Sequence, residues 1–235
     1  MSNVPRPPRR GTTLRKVLDS AARLQRQVPD AVLVGGAAAA LHAGHRESFD
    51  HGHVLPDLQE RYAQVLDAVE ATDGWATSVR ASRPPMTIMG SLGGVEAGLR
   101  QMRRTRPLET IDVDLGSSGT VTAPTLDEML RVKAYLVVQR NAVRDYLDVV
   151  ALADRMGLDR ASEVLAGMDD YYDDRSGEHG SVLTALVLRL ANPQPVDPRV
   201  TRELPRYRGL DERWHDWGDV SAALGELSLR LGGAA

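Results

Sequence analysis

The sequence predicts a mixed α/β (α+β) fold, a mixed-sheet core over residues 12–125 followed by a helical C-terminal lobe over 126–235. Three observations carry this. "AVLVGGAAAALHAG" reads as a short strand, a glycine turn and a helix, in that order. "TIDVDLGSSGTVTAPT" alternates polar and apolar residues on either side of a Gly116-Ser-Ser-Gly119 turn, as a hairpin does. From Leu126 the character becomes helical, through "LDEMLRVKAYLVVQRNAVRDYLDVVALADRMG", "ASEVLAGM" and "SVLTALVLRLA". A chain of 235 residues is long enough to bury a core and suits two modest lobes.

Taken in order, residues 1–11 are rich in Pro and Arg and lack periodicity, which predicts a disordered start. From Thr12, the residues Leu14, Val17, Leu18, Ala21, Ala22 and Leu24 recur at helical spacing to about Gln27, and Pro29 closes that helix. Ala31 to Val34 form a buried strand, and Gly35-Gly36 turns it into an Ala-rich helix ending near Gly44. "LPDLQERYAQVLDAVEATDGW" predicts a second amphipathic helix with Leu58, Tyr62, Val65, Leu66 and Val69 on one stripe. Short strands follow around Gly90, Gly93 and Gly94, then the hairpin. The tail is a Pro-broken loop and a final helix, with Trp214 and Trp217 expected to pack it back on the body.

Lys and Arg number 29 against 32 Asp and Glu, so a nucleic-acid partner has to be held by local basic patches. The absence of cysteine removes disulfides, thiolate metal sites and a cysteine nucleophile, and fits a reducing cytoplasm. The start MSNVPRPPRRG has no apolar h-region, and no run approaches the roughly 20 apolar residues that span a bilayer. The expectation is a soluble, cytoplasmic protein with no membrane partner. With one Phe, three Trp and six Tyr, the core has to come mainly from Leu, Val, Ala and Ile.

A strand that ends in Gly-Gly and opens a helix leaves free N–H groups and a positive dipole end where an anion sits. The plainer alternative is a tight turn that lets the helix pack closely. A dozen residues later comes "ESFDHGHVL", in which Asp50 and residue 52 share one strand face. Asp-x-Asp in that place holds Mg²⁺, and paired metals clamp the attacking and leaving oxygens of nucleotidyl transfer. Here position 52 is Gly. The third element is "RVKAYLVVQRNAVRDYLDVV", where Lys133 offers a point charge for a triphosphate and Asp145 or Asp148 a base or orienting acid. On one straight helix Lys133 and Asp148 would lie ~22 Å apart, so they serve one site only if the chain bends. "QRNA" is the place for that bend, with Asn141 the N-cap candidate. The plainer alternative makes Lys133 a solvated helix residue and Arg144/Asp148 a surface i,i+4 ion pair.

The joint pattern of GG, then R-x-S-x-D-x-D with Gly52 in its last place, then K, then R-D-x-x-D resembles the AbiEii-type nucleotidyltransferase toxins, the MenT-like branch of the DNA polymerase β superfamily. It covers roughly residues 14–155. The resemblance implies a nucleotidyltransferase-type mixed-sheet core with a helical C-terminal lobe. It implies transfer of NMP from an NTP to RNA, with a tRNA 3′ end as acceptor, Mg²⁺ or Mn²⁺ as cofactor and a cognate antitoxin as partner. It places Gly35 and Gly36 over the triphosphate, Arg46 and Ser48 in the flank of the nucleotide site, and Asp50 as first metal carboxylate. Lys133 then holds the nucleotide and Asp148 is the late acidic residue, with Asp145 the weaker candidate.

Gly52 departs from the family's Asp. It offers no oxygen side chain, and His53 points to the opposite strand face. Three explanations stay open: a naturally degenerate copy, a deliberate silencing of a toxic protein, or a ligand supplied by Asp112 or Asp114. The last two share a face of "TIDVDL" whose plainer reading is a solvated hairpin face. Beside the transferase stand a catalytically dead module that binds nucleotide, RNA or antitoxin, and a nucleotidyltransferase that modifies a protein.

For RNA, "LRQMRRTRP" offers Arg100, Arg103, Arg104 and Arg106, and "RELPRYR" offers Arg202, Arg206 and Arg208 with Tyr207 interleaved. Such contacts are salt sensitive and carry little sequence information, and ordinary surface charge is the alternative. The first cluster is the favoured one because it precedes the hairpin. His45, His51 and His53 are too tightly spaced for the usual tetrahedral zinc site, and His45 and His51 are expected to be polar flank residues. Ser48 is expected to face the site, where a phosphate would place about -1.5 to -2 charges against an incoming triphosphate.

Overall fold

Helix α1 (Thr13–Gln27) begins at Thr12, whose hydroxyl accepts the N–H of Arg15 at 3.2 Å and satisfies one of the free donors of the first turn. The computed structural model describes residues 5–9, 11–175, 177 and 180–233. The disorder expected for residues 1–11 falls in part on residues 1–4 and 10, outside those described. The chain divides into two units: residues 1–42 with 47–125, and residues 43–46 with 126–235.

In the first unit β1 (Val32–Val34) runs directly into α2 (Gly35–Ala43). Gly35 sits at φ +79°, a backbone region that side-chain-bearing residues rarely adopt, so the strand-to-helix turn depends on glycine there. β2 (Asp50–Leu55), α3 (Tyr62–Glu70), β3 (Trp75–Thr77), β4 (Thr87–Leu92) and β5 (Val95–Gln101) follow. They form a five-stranded sheet in the order β1-β2-β5-β4-β3, with β2 and β5 parallel and the other neighbours antiparallel. Gly93 and Gly94, both at positive φ, make the two-residue turn between β4 and β5 that the right-handed twist of paired strands favours. The core is aliphatic as expected: Leu24, Val28, Leu55, Val65, Val69, Ile88 and Leu99 pack in one cluster.

The hairpin β6 (Thr110–Asp114) and β7 (Thr120–Pro124) stands as a separate two-stranded sheet. Gln25 on α1 ties to it by two 2.8 Å bonds, its amide NH₂ donating to the Thr122 carbonyl and its amide oxygen accepting the Thr122 N–H. Two elements differ from expectation. The second helix is shorter, starting at Tyr62, because Leu58 is buried in the preceding turn rather than on the helical stripe. Strand β3 at the sheet edge has only three residues, too few to show a period of two.

In the second unit α4 (Leu126–Arg140) and α5 (Val143–Met156) are separated at Asn141-Ala142. Asn141 is not the N-cap: Ala142 holds that place without a side-chain bond, and Asn141 ends α4 in the left-handed region at φ +50°. Its amide group bridges the break, donating to the Gln194 carbonyl at 2.6 Å and accepting the Tyr146 hydroxyl at 2.6 Å. Further helices span Leu158–Ala166, Met168–Tyr171, Val182–Ala191 and Trp217–Gly233, with 3₁₀ turns at Val200–Arg202, Leu204–Arg206 and Glu212–Trp214. Trp214 is buried and Trp217 meets Tyr146 edge-on with ring centroids 6.0 Å apart, so both pack the tail as expected. Among the described residues no helix is long and apolar enough to cross a membrane.

Candidate functional site

Strand β2 sorts its side chains by period two. Asp50, Gly52 and Val54 lie on one face, while His51, His53 and Leu55 are buried on the other. Val34, the last residue before Gly35, is the register partner of Gly52, so the glycine turn and the start of β2 are neighbours. Ser48 holds Asp50 from behind, its hydroxyl 3.3 Å from both the backbone carbonyl and Oδ1 of Asp50. It is 1% exposed, which removes it as an accessible phosphorylation site.

No motif of the sequence marks Glu96. On β5, parallel to β2, it is the register partner of Asp50, so the two exposed carboxylates stand side by side on one sheet face. Gly98 is in turn the partner of Gly52, so neither β2 nor β5 contributes a side chain next to that pair. Met89 of β4 fills the space over Gly98: a Cβ placed there would lie 2.7 Å from its Sδ. Over Gly52 there is nothing within 4 Å of such a Cβ, and the site has room for an Asp side chain.

The alternative ligands are engaged by hydrogen bonds of the hairpin. Asp112 Oδ1 accepts the Thr122 hydroxyl at 2.7 Å, and Asp114 Oδ1 accepts the Gly116 N–H at 2.7 Å, so both work within the hairpin. No group of three or more His, Cys, Asp or Glu residues suited to a metal ion occurs among the described residues. The histidines are not polar flank residues. His51 and His53 are buried beneath the sheet with ring centroids 5.2 Å apart, and His51 Nε2 lies 3.0 Å from the Ser20 hydroxyl. Burial lowers the pKa of His51 to about 4 and that of His53 well below the usual value.

The second unit gathers a different set. Asp148, 0% exposed, receives four donors. His45 Nε2 and Arg46 Nε reach Oδ1 at 2.8 Å each, while Arg46 Nη2 and Lys133 Nζ reach Oδ2 at 3.0 and 2.6 Å. Burial alone would raise the Asp148 pKa, but Lys133, Arg46 and His45 together hold it well below the usual carboxylate range. Burial lowers the pKa of His45, against the pull of Asp148. Lys133 also lies 3.7 Å from Asp145, whose carboxyl burial pushes up in pKa.

Two plainer readings are thereby overturned. Lys133 is 3% exposed and not solvated, and Asp148 pairs inward while Arg144 approaches Asp145 at 4.0 Å. The break at Asn141 lets α5 fold back so that Lys133 and Asp148 meet despite their separation in sequence. With all four lone-pair positions of Asp148 engaged, its geometry is that of an anchor for residues 45 and 46 and not of a proton acceptor. Of the first arginine cluster, Arg100 and Arg103 are exposed, but Arg104 is buried and donates to the carbonyls of Arg106 and Pro107 at 2.9 and 3.1 Å. Arg104 shapes its loop and is not presented to RNA.

No family model matches the chain. Among curated proteins, the heme uptake protein MmpL11 of Mycobacterium tuberculosis is 34% identical over 208 residues, 78% of this chain and 20% of that protein. The mycolic acid-containing lipids exporter MmpL11 of Mycolicibacterium smegmatis is 41% identical over 101 residues, 43% of this chain and 11% of that protein. The chain thus spans about a fifth or less of the length of the curated relatives it matches. Among solved structures, JHP933 from Helicobacter pylori is 14% identical with a TM-score of 0.50, covering 93% of this chain and 90% of that one. ANT(2″)-Ia in complex with adenylyl-2″-tobramycin is 11% identical with a TM-score of 0.50, covering 68% of this chain and 99% of that one. A nucleotidyltransferase-like protein from Paracoccidioides brasiliensis is 16% identical at a TM-score of 0.44, covering 74% and 93%. At these identities the likeness is one of fold, a mixed α+β architecture.

Proposed function

We propose that the chain is a nucleotidyltransferase whose metal-holding carboxylates are Asp50 and Glu96, the latter standing in for the acid that Gly52 lacks. The observation that carries this is the parallel register that sets the two side by side, next to the Gly35-Gly36 turn. The donor set suits a hard cation: Mg²⁺ is commonly held by one or two carboxylates and completes its shell with water and substrate phosphates. When bound, Mg²⁺ or Mn²⁺ supplies charge neutralisation at the phosphates during in-line displacement. The chain's own residues do the positioning. The free N–H groups at the start of α2 take the triphosphate, and Ser48 orients Asp50. Catalysis of this kind is mostly placement and electrostatics.

In this reading NMP passes to an RNA hydroxyl, in the first place a tRNA 3′ end, and the protein is the toxin partner of a cognate antitoxin. Lys133 and Asp148 belong to the anchor that fixes Arg46, four residues before Asp50 in sequence. A second reading, a module that binds nucleotide without turnover, is favoured by Gly52. It is favoured too by relatives of which the matching segment is a small part of proteins named for uptake or export. A protein acceptor in place of RNA needs the same site residues.

The test incubates the chain and its Gly52→Asp variant with RNA, Mg²⁺ or Mn²⁺ and each labelled NTP. Label on RNA that disappears with Asp50→Ala supports the transferase, and label on protein moves the acceptor. NTP binding without transfer by either form, under either metal, establishes the silent module.

A further inference from the structure

We infer that Arg199, Arg202, Arg206 and Arg208, on and flanking the tandem 3₁₀ turns of the second unit, form a docking strip for the phosphate backbone of single-stranded RNA. This rests on the reading of RNA as acceptor, and it places RNA on the other arginine cluster from the one the sequence favours. All four side chains are exposed. In this acid-rich half of the chain other arginines have found carboxylates, Arg160 with Asp127 and Glu163 and Arg213 with Asp154 among them. The four strip arginines have no carboxylate at ion-pair distance among the described residues.

The strip is also held in shape before any ligand arrives. At its start Val196 N–H donates to the Asn141 carbonyl and Asp197 Oδ1 accepts the Val143 N–H. At its end Asp211 N–H donates to the His45 carbonyl. Leu204 and Leu210 are buried between these pins. In a 3₁₀ turn residues three apart eclipse, which aligns Arg199 with Arg202. Tyr207 is half-buried between Arg206 and Arg208, with the Arg208 guanidinium 6.0 Å from its ring, and offers a stacking surface for a base. Preorganised guanidinium forks match phosphate oxygens in pairs. A protein partner would instead call for an apolar centre depleted of charge, whereas Val196 is the one large apolar side chain exposed beside the strip among the described residues.

The experiment titrates the full chain with a 5′-labelled oligoribonucleotide by fluorescence anisotropy at several salt concentrations, using the parent, a variant with Arg199, Arg202, Arg206 and Arg208 each changed to Gln, and a variant with Arg100, Arg103 and Arg106 each changed to Gln. Melting temperatures of the variants check that each is folded. The strip variant is expected to bind about tenfold more weakly or worse, and its log-affinity against log-salt slope to fall by roughly 3, at ~0.7 for each phosphate no longer neutralised. The sheet-unit variant is expected to keep the parent slope. Parent-like affinity and slope in the strip variant, no RNA binding by the parent, or displacement of RNA by poly-glutamate as effectively as by unlabelled RNA would each overturn the inference. NMP transfer is scored separately, so a strip that fails while labelling persists leaves the transferase reading in place.

Discussion

Glu96 stands beside Asp50, register partners on the parallel strands β5 and β2 and both open to solvent on the same sheet face. The pair arises because β5 is inserted between β2 and β4, a crossover that joins two residues 46 positions apart in the sequence. On the proposal that this pair holds a metal, the missing acid at position 52 is a change of ligand position and not a loss of the site.

Gly52→Asp should be tolerated by the fold and should tighten metal binding. The backbone is not in the left-handed region and a Cβ meets nothing within 4 Å. A thermal melt is expected to show a stability change within about 1 kcal/mol, and a Mn²⁺ titration an affinity raised by about tenfold or more, as one added carboxylate ligand warrants. A variant that unfolds contradicts the open space over this strand, and one that binds metal no better than the parent contradicts the proposed metal site.

Asp148→Asn should be strongly destabilising. It leaves Arg46 and Lys133 buried without their shared counter-charge, and breaking a buried pair from one side costs about 3–5 kcal/mol. Urea unfolding measures this directly. A loss under about 1 kcal/mol would mean that the network is solvated in solution.

Acid should weaken the sheet unit before its carboxylates titrate. His51 and His53 are neutral when folded, with pKa values below the 6.5 of an unfolded histidine. Protonation therefore favours the unfolded chain. Their stabilisation is complete above pH 6.5 and drains away as the pH falls toward about 4, where for His51 about 3 kcal/mol is gone. Stability measured from pH 7.5 to 4.5 should fall, and His51→Gln should flatten that fall. An unchanged slope in the variant would remove His51 from the explanation.

Two glycines on β4 and β5 should respond differently to alanine. A Cβ on Gly90 would meet the Trp75 ring at 2.5 Å and the Ala76 carbonyl at 2.6 Å, so Gly90→Ala should cost about 1–3 kcal/mol or more. At Gly98 the obstacle is the mobile end of Met89, which swings aside at smaller cost. Denaturant midpoints of the two variants check the order, and the reverse order would show that Met89 is locked in place.

Much of the fold was legible from periodicity and punctuation. The strand-turn-helix at Gly35, the hairpin around Gly116 and the bend between Lys133 and Asp148 are local signals that survive in the structure. Less legible was anything that depends on distant pairing. Nothing in "VEAGLRQ" marks Glu96 as a neighbour of Asp50, because register across a crossover has no local signature. Asn141 read as a cap because its residue type suits both helix ends, and its positive φ settles which end it serves. Arg104 reads as an RNA contact and Ser48 as a hydroxyl facing the site, yet both are buried, Arg104 turned onto the carbonyls of its own loop and Ser48 onto Asp50.

The measurement closest to the central claim is Mn²⁺ binding, by calorimetry or electron paramagnetic resonance, to the parent, Asp50→Asn and Glu96→Gln. If the two carboxylates share one ion, each variant loses about tenfold or more in affinity and the double variant loses little further, because the site is already broken. If Glu96→Gln binds Mn²⁺ as tightly as the parent while Asp50→Asn does not, Glu96 is no ligand and the proposed metal site is wrong.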